Sequence, residues 1–179
     1  MNRYVAFLRG MNLGNRRIAN DDLRSHFEAL GCEDVATFRA SGNVVFSVDR
    51  ESSAKLAVRL EDGLAEALGY AVPVFLRSAQ ELLAIAAYEP FDAESLDAST
   101  GKFQVALLTK KPTAKARKSA LALSTEADRL AVEGRELCWL PQGGMSDSDL
   151  DLKALATILG SMTIRTKGTI DQIAAKHFG

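Results

Sequence analysis

The chain has 179 residues, 47% hydrophobic and 25% charged, with a formal net charge of −1. These values exclude a wholly disordered chain, and they exclude a partner selected by the global field of a strongly basic or acidic protein. They fit one large domain or two small ones, and any basic site has to be local.

No apolar run approaches the roughly 20 residues that a bilayer-spanning helix needs. Met1-Asn2-Arg3-Tyr4 leads straight into a strand-like segment, without the apolar core and cleavage site of a signal peptide. Cys32 and Cys138 lie far apart and suit buried thiols in a reducing compartment. Together these features predict a soluble, cytoplasmic protein.

Residues 3–9 form a short apolar run rich in β-formers that ends at Gly10, which reads as a strand. After a glycine loop, Asn20 is placed to cap a helix with Asp21 and Asp22 in its first turn. Leu23, Phe27 and Leu30 recur at helical spacing, and Gly31 stops the run. Residues 34–39 and 43–48 read as two strands joined through Ser41-Gly42-Asn43, a hairpin. Ser52-Ser53 open a longer helix with Ala57, Leu60, Leu64 and Leu68 on one face, closed by Gly69. Gly63 inside that helix costs about 1 kcal/mol of propensity. Residues 72–76 form a fourth strand, and Pro73 suits its start or an edge.

The order is β-α-β-β-α-β, a ferredoxin-like unit. A short helix follows from Ser78 to Ala87, and Glu89 to Gly101 reads as a polar linker. The order then recurs: a strand at 103–109, a helix opened by Pro112-Thr113, and strands at 130–133 and 136–140 flanking Gly134-Arg135. A helix from Asp147 to Leu159, a strand at 162–165 and a last helix capped by Thr169 complete the chain. The expected fold is therefore α+β, two tandem ferredoxin-like (βαββαβ) halves with an additional C-terminal helix. Its expected segments are 1–77, the first half; 78–101, helix and linker; 102–165, the second half; and 166–179, the C-terminal helix.

Four strings, FLRGMNLGN at 7–15, LRSHFEALG at 23–31, SGNVVF at 41–46 and VPVFLRS at 72–78, resemble the bacterial family known as domain of unknown function 1697. The resemblance extends over nearly the whole chain. It implies two ferredoxin-like halves packed together and no established reaction. The chain differs from the family pattern at three places: Asn15 stands where a second glycine is common. Arg165-Thr166-Lys167-Gly168-Thr169 stands for Arg-Asn-Trp-Asn-Thr, and Ser148-Asp149-Leu150 for Ser-Lys-Leu.

The leading candidate for chemistry is the loop Arg9-Gly10-Met11-Asn12-Leu13-Gly14-Asn15-Arg16-Arg17. It joins a strand end to a helix start, where backbone N–H groups and the helix dipole favour an anion. Arginine matches phosphate and carboxylate geometry, and Asn12 and Asn15 can hydrogen-bond a ligand. The pattern is neither a P-loop nor GxGxxG. The expected ligand set is Arg9, Gly10, Asn12, Gly14, Asn15 and Arg17, with Ser41, Asn43 and Arg165 as outlying members. Turn chemistry alone explains Ser41-Gly42-Asn43, and that turn need not join the loop.

Lys110, Lys111, Lys115, Arg117 and Lys118 form the densest basic cluster, read as a solvated helix face with nucleic acid or an acidic partner as the alternative. Asp147, Asp149 and Asp151 imitate the start of an EF-hand, but Leu152 and Ile158 replace its glycine and glutamate, so no metal is assigned. His26 and His177 have no motif around them, and no catalytic triad or zinc site is recognisable. Phe46 alternates with Val44 and Val48, which suits a buried face rather than an RNA-stacking platform.

Three functions follow. The first is a module binding an anionic, phosphate-bearing metabolite or nucleic acid at the loop. The second is an enzyme acting on a phosphorylated or carboxylated small molecule. The third is an interaction or regulatory protein without catalysis. No cofactor and no membrane partner are expected, and the catalytic residues and the oligomeric state stay open.

Overall fold

The computed structural model describes residues 1–11, 16–39 and 42–179. The chain divides into two compact units, Met1–Leu83 with His177–Gly179, and Ala84–Lys176. Each holds one four-stranded antiparallel sheet. Seven α-helices occur among the described residues, and none is long and apolar enough to cross a membrane.

The first sheet has the order β2-β3-β1-β4, from β1 (Asn2–Leu8), β2 (Glu33–Thr37), β3 (Asn43–Val48) and β4 (Val74–Ser78). Tyr4 to Leu8 are all buried. A continuous apolar run of this kind marks a strand covered on both faces. One face carries Tyr4, Ala6, Leu8, Val44, Phe46, Val48, Val74 and Leu76. Against it pack Leu23 and Phe27 of α1 (Asn20–Ala29) and Leu56, Leu60 and Leu64 of α2 (Ser53–Leu68). Each such large side chain contributes about 1.5–3 kcal/mol by leaving water. Phe46 is fully buried, its ring centroid 5.4 Å from Phe27 and 6.1 Å from Tyr4. The aromatic of the third strand is therefore core.

Arg59 joins the two helices of this unit. It donates to the Leu30 carbonyl at the end of α1 and, 2.8 Å away, to Glu51 Oε2. The close approach also explains Gly63. A Cβ there would lie 2.2 Å from Leu30 Cδ2 and 2.9 Å from Leu30 Cδ1. The glycine that weakens α2 by propensity is the one that admits Leu30.

α3 (Ala79–Ala87) follows β4 directly. Its start is a capping box: Glu81 N donates to Ser78 Oγ, and Ser78 N to Glu81 Oε2.

The second sheet has the order β6-β7-β5-β8. After α4 (Ala93–Ala98) come β5 (Gln104–Leu108), α5 (Ala114–Leu121), β6 (Asp128–Glu133), β7 (Glu136–Pro141), α6 (Leu152–Leu159), β8 (Met162–Thr166) and α7 (Lys167–Ile173). Its core contains Ala106, Leu108, Leu130, Val132, Leu137, Trp139, Leu155 and Leu159. Trp139 Nε1 donates to the buried Asp128 Oδ1 at 2.9 Å, and Ser148 Oγ to the same oxygen at 2.7 Å.

The ladders of the two sheets correspond. Tyr4–Leu8 pair with Ser78–Val74, and Gln104–Leu108 with Thr166–Met162. Val5 faces Arg77 as Val105 faces Arg165, and Tyr4 faces Phe46 as Gln104 faces Trp139.

Four local expectations are corrected. The 89–101 stretch is no plain linker, because Asp92 Oδ1 accepts from Ser95 N at 2.7 Å and caps α4. Asp147 ends a 3-10 turn, Met145–Asp147, and Asp151 caps α6 through Ala154 N at 2.9 Å. The N-cap of α1 is Ala19, with no side-chain bond, while Asn20 Nδ2 reaches Arg39 O at 3.4 Å. The last α-helix is capped by Thr166, which accepts from Thr169 N at 3.1 Å. In each case several Asp, Ser, Thr or Asn residues compete within one turn, and tertiary position selects among them.

Gly63→Ala tests the contact between α1 and α2. The alanine gains about 1 kcal/mol of helix propensity, but overpacking costs about 1–3 kcal/mol. The variant should melt below wild type, and Leu30→Ala should convert the same substitution into a stabilising one. A denaturant-unfolding double-mutant cycle measures both.

Candidate functional site

The exit of β1 is held from both sides. Leu8 N donates to Gly42 O at 2.8 Å, and Arg9 N to Pro73 O at 3.1 Å. Gly10 then turns with φ 74°. Met11, only 3% exposed, returns the chain to the hydrophobic core.

Gly42 lies against this turn with φ 73°, and a Cβ there would sit 3.0 Å from Met11 Cγ and 3.1 Å from Leu8 Cβ. Asn43, opposite Phe7 in the ladder, is fully buried and donates from Nδ2 to Phe38 O at 3.0 Å. Gly42 of the hairpin turn therefore packs against the first residues of the loop. Antiparallel pairing decides this, since the end of β1 lies beside the start of β3. Asn12, Leu13, Gly14, Asn15 and Ser41 fall outside the described residues.

Beyond the loop, Arg16 and Arg17 open a cavity of about 390 Å³ at the start of α1. Its other walls are Ile18, Asp22, Ser25 and His26, with Leu68 and Tyr70 from the end of α2 and the residues after it. The Arg16 guanidinium lies over the Tyr70 ring, 4.6 Å from its centroid. Such stacking orients the planar cation while leaving its N–H fork available to an oxyanion. The side chains can offer an anion two guanidinium groups, a serine hydroxyl and an imidazole, with Asp22 as an opposing charge.

Arg16 belongs to the loop recognised in the sequence. His26 and Tyr70 line the cavity and were not among the residues expected to bind a ligand. His26 sits one helical turn after Asp22, a spacing that places both on one face. Tyr70 comes from a distant segment and carries no local signal.

Arg165 lies in the other unit, within β8 and opposite Val105. Its Nη1 donates to Thr163 Oγ1 at 2.9 Å and to Ile164 O at 3.0 Å. Burial pulls its guanidinium down to about 10. Arg77 stands at the matching position of β4, 1% exposed, and donates to Leu76 O at 2.9 Å.

Both cysteines are buried, free thiols. Burial pushes Cys32 up to about 11 and Cys138 up to about 12. Neither is an activated nucleophile. Among the described residues no group of three or more His, Cys, Asp or Glu is placed to hold a metal ion.

The family model described as "Protein of unknown function (DUF1697)" matches residues 1–138. Among solved structures, the conserved bacterial protein SP0830 from Streptococcus pneumoniae is similar, with a TM-score of 0.72 and 21% identity. The match covers 98% of this chain and 97% of that one, which is likeness of fold. No curated protein matches the chain.

Gly42→Ala should lower stability by about 1–2 kcal/mol, from the left-handed backbone alone. It should also shift the amide resonances of Leu8 to Met11, as read by two-dimensional NMR. For the thiols, a folded sample at pH 8 should leave Cys32 and Cys138 unmodified by a disulfide reagent, and denaturation should release both. The sign follows from the raised values: the fold holds each thiol neutral, and this preference is lost only as pH rises through the folded value.

Proposed function

The chain belongs to the DUF1697 family, and we propose that it binds a small, phosphate-bearing anion at the segment joining β1 to α1. The observation that carries this reading is the cavity of about 390 Å³ in which Arg16 and Arg17 stand beside Ser25, His26 and Tyr70. Its size is that of a small-ligand pocket. Two arginines and the uncapped start of α1 favour negative charge there. Arg9 and Gly10 stand at the mouth of the same segment. Of the remaining expected ligands, Asn43 spends its amide on Phe38, and we retain Ser41 and the loop residues Asn12, Gly14 and Asn15 as contacts. Arg165 is proposed as a secondary anion contact of its own unit.

The fold beneath the site is read as two ferredoxin-like halves, spanning 1–77 and 102–165, with the 166–179 segment closing the chain. The strand orders β2-β3-β1-β4 and β6-β7-β5-β8 support this. So does the matching of Arg77 to Arg165 in their ladders.

A second reading is an enzyme acting on a phosphorylated or carboxylated small molecule. His26 favours it, because an imidazole in the same cavity supplies the acid–base group that such a reaction needs.

A thermal-shift screen with pyrophosphate, nucleotides and sugar phosphates tests the binding. A ligand at about 100 times its Kd should stabilise the wild type by about 2.7 kcal/mol. The Arg16→Ala/Arg17→Ala variant should lose that shift, and Arg9→Ala should reduce it. Equal stabilisation of wild type and double variant would place the ligand elsewhere and overturn the reading. For the enzyme, His26→Ala should keep the shift and abolish turnover of a chromogenic phosphate ester.

A further inference from the structure

A second cationic surface lies in the other unit. From Ala98 to Thr125 the chain has no Asp or Glu, yet it carries Lys102, Lys110, Lys111, Lys115, Arg117 and Lys118. The last five are exposed on the connection after β5 and on α5. None of the ion pairs among the described residues contains any of them. α5 packs against α6, which exposes Lys153 and whose one adjoining carboxylate, Asp151, is engaged in capping the helix through Ala154 N. The nearest carboxylates in the sequence of the adjoining hairpin are Glu133 and Glu136, and Glu136 Oε2 accepts from Arg135 N at 3.1 Å.

The surface leaves its sheet where the first cationic segment leaves its own. Leu108 N donates to Arg135 O at 2.8 Å, as Leu8 N donates to Gly42 O at 2.8 Å. The side chains differ. The first segment sets Arg16 on the Tyr70 ring beside a cavity, whereas the second carries exposed cations on the connection and on α5.

The chemistry of the strip selects its partner. No Phe, Tyr or Trp occurs between Phe103 and Trp139, and the half-buried Tyr88, whose hydroxyl feels the charge of Arg117, is a single ring rather than a row on which successive unpaired bases could stack. The exposed large apolar side chains among the described residues are Met1, Val58, Leu83, Leu96, Met145 and Leu152. Of these only Leu152 lies beside the surface, next to Lys153, and one such side chain is no anchor for a protein interface or for insertion at a membrane surface. Unpaired cations alone recognise a dense row of phosphates, through release of condensed counterions, and a duplex carries the densest row.

We propose that the 110–118 surface binds the phosphodiester backbone of duplex nucleic acid without reading its sequence. This inference is independent of the Arg16–Arg17 cavity.

The test is fluorescence anisotropy of the full chain with a labelled random-sequence duplex, from about 50 to about 200 mM salt. Wild type should bind at low salt and weaken steeply as salt rises. Two variants of exposed side chains, Lys110→Gln/Lys111→Gln and Lys115→Gln/Arg117→Gln/Lys118→Gln, should keep the wild-type melting temperature. Each should reduce the salt slope by about one per cation removed. Arg16→Ala/Arg17→Ala should bind the duplex as wild type does. The proposal is overturned by no duplex binding at low salt, or by unchanged slopes in both lysine variants. It is equally overturned if duplex binding is lost on removing Arg16 and Arg17, or if phosphatidylserine vesicles bind at the strip while the duplex does not.

Discussion

The arrangement of the first unit depends on how the last residues of β1 are held. Leu8 bonds to the strand on one side, at Gly42, and Arg9 to the chain on the other, at Pro73. These two bonds define where the sheet stops and the cationic segment begins. A one-residue slip would send Tyr4, Ala6 and Leu8 to the opposite face and empty the layer against α1 and α2. The register is therefore fixed by the core, and the core in turn fixes the starting point of the loop. Pro73 fits this role because its missing N–H costs nothing where only its carbonyl is used.

The second sheet shows that this exit geometry does not depend on glycine at the neighbouring turn. Arg135 offers its carbonyl to Leu108 as Gly42 does to Leu8. What differs is crowding. Gly42 is hemmed in by Leu8 and Met11, because Met11 folds back into the core. In the second sheet the positive φ belongs to Gly134, one residue earlier. The same ladder position thus leads to Met11 buried in the core in one unit and to the exposed Lys110 and Lys111 in the other. The ligand classes proposed for the two follow from that difference.

Strand order along the chain was legible because each strand is a short apolar run with a turn signal at its end. Residues 43–48 and 103–109 were readable in this way within about one residue. The helix starts were less legible. Around α1, α6 and α7 several capping residues crowd together, and local sequence does not say which one meets the helix axis. The pocket was legible only in its cationic half. Arg16 and Arg17 stand out beside a glycine loop, while Tyr70 and His26 reach the cavity through the packing of α2 beside α1. Gly63 was misleading in a similar way, since its helix penalty is visible locally and its compensating contact with Leu30 is not.

Arg77 and Arg165 bear on why the two sheets correspond in the order of their elements and not in their residue strings. Read linearly, the halves share almost no string. Read by ladder, Val5, Ala6, Leu8 and Arg77 match Val105, Ala106, Leu108 and Arg165. Burying a guanidinium is costly unless its donors are satisfied; the buried Arg77 and the half-buried Arg165 each give one donor to the carbonyl of the residue before them, and Arg165 another to Thr163 Oγ1. The same solution appears at the same ladder position in each sheet. That agreement is harder to reach by chance than a shared apolar residue, because many apolar residues fill a core and few arrangements accommodate a buried cation. The two sheets thus meet the same physical demand at one ladder position, while the connections that leave them carry different side chains.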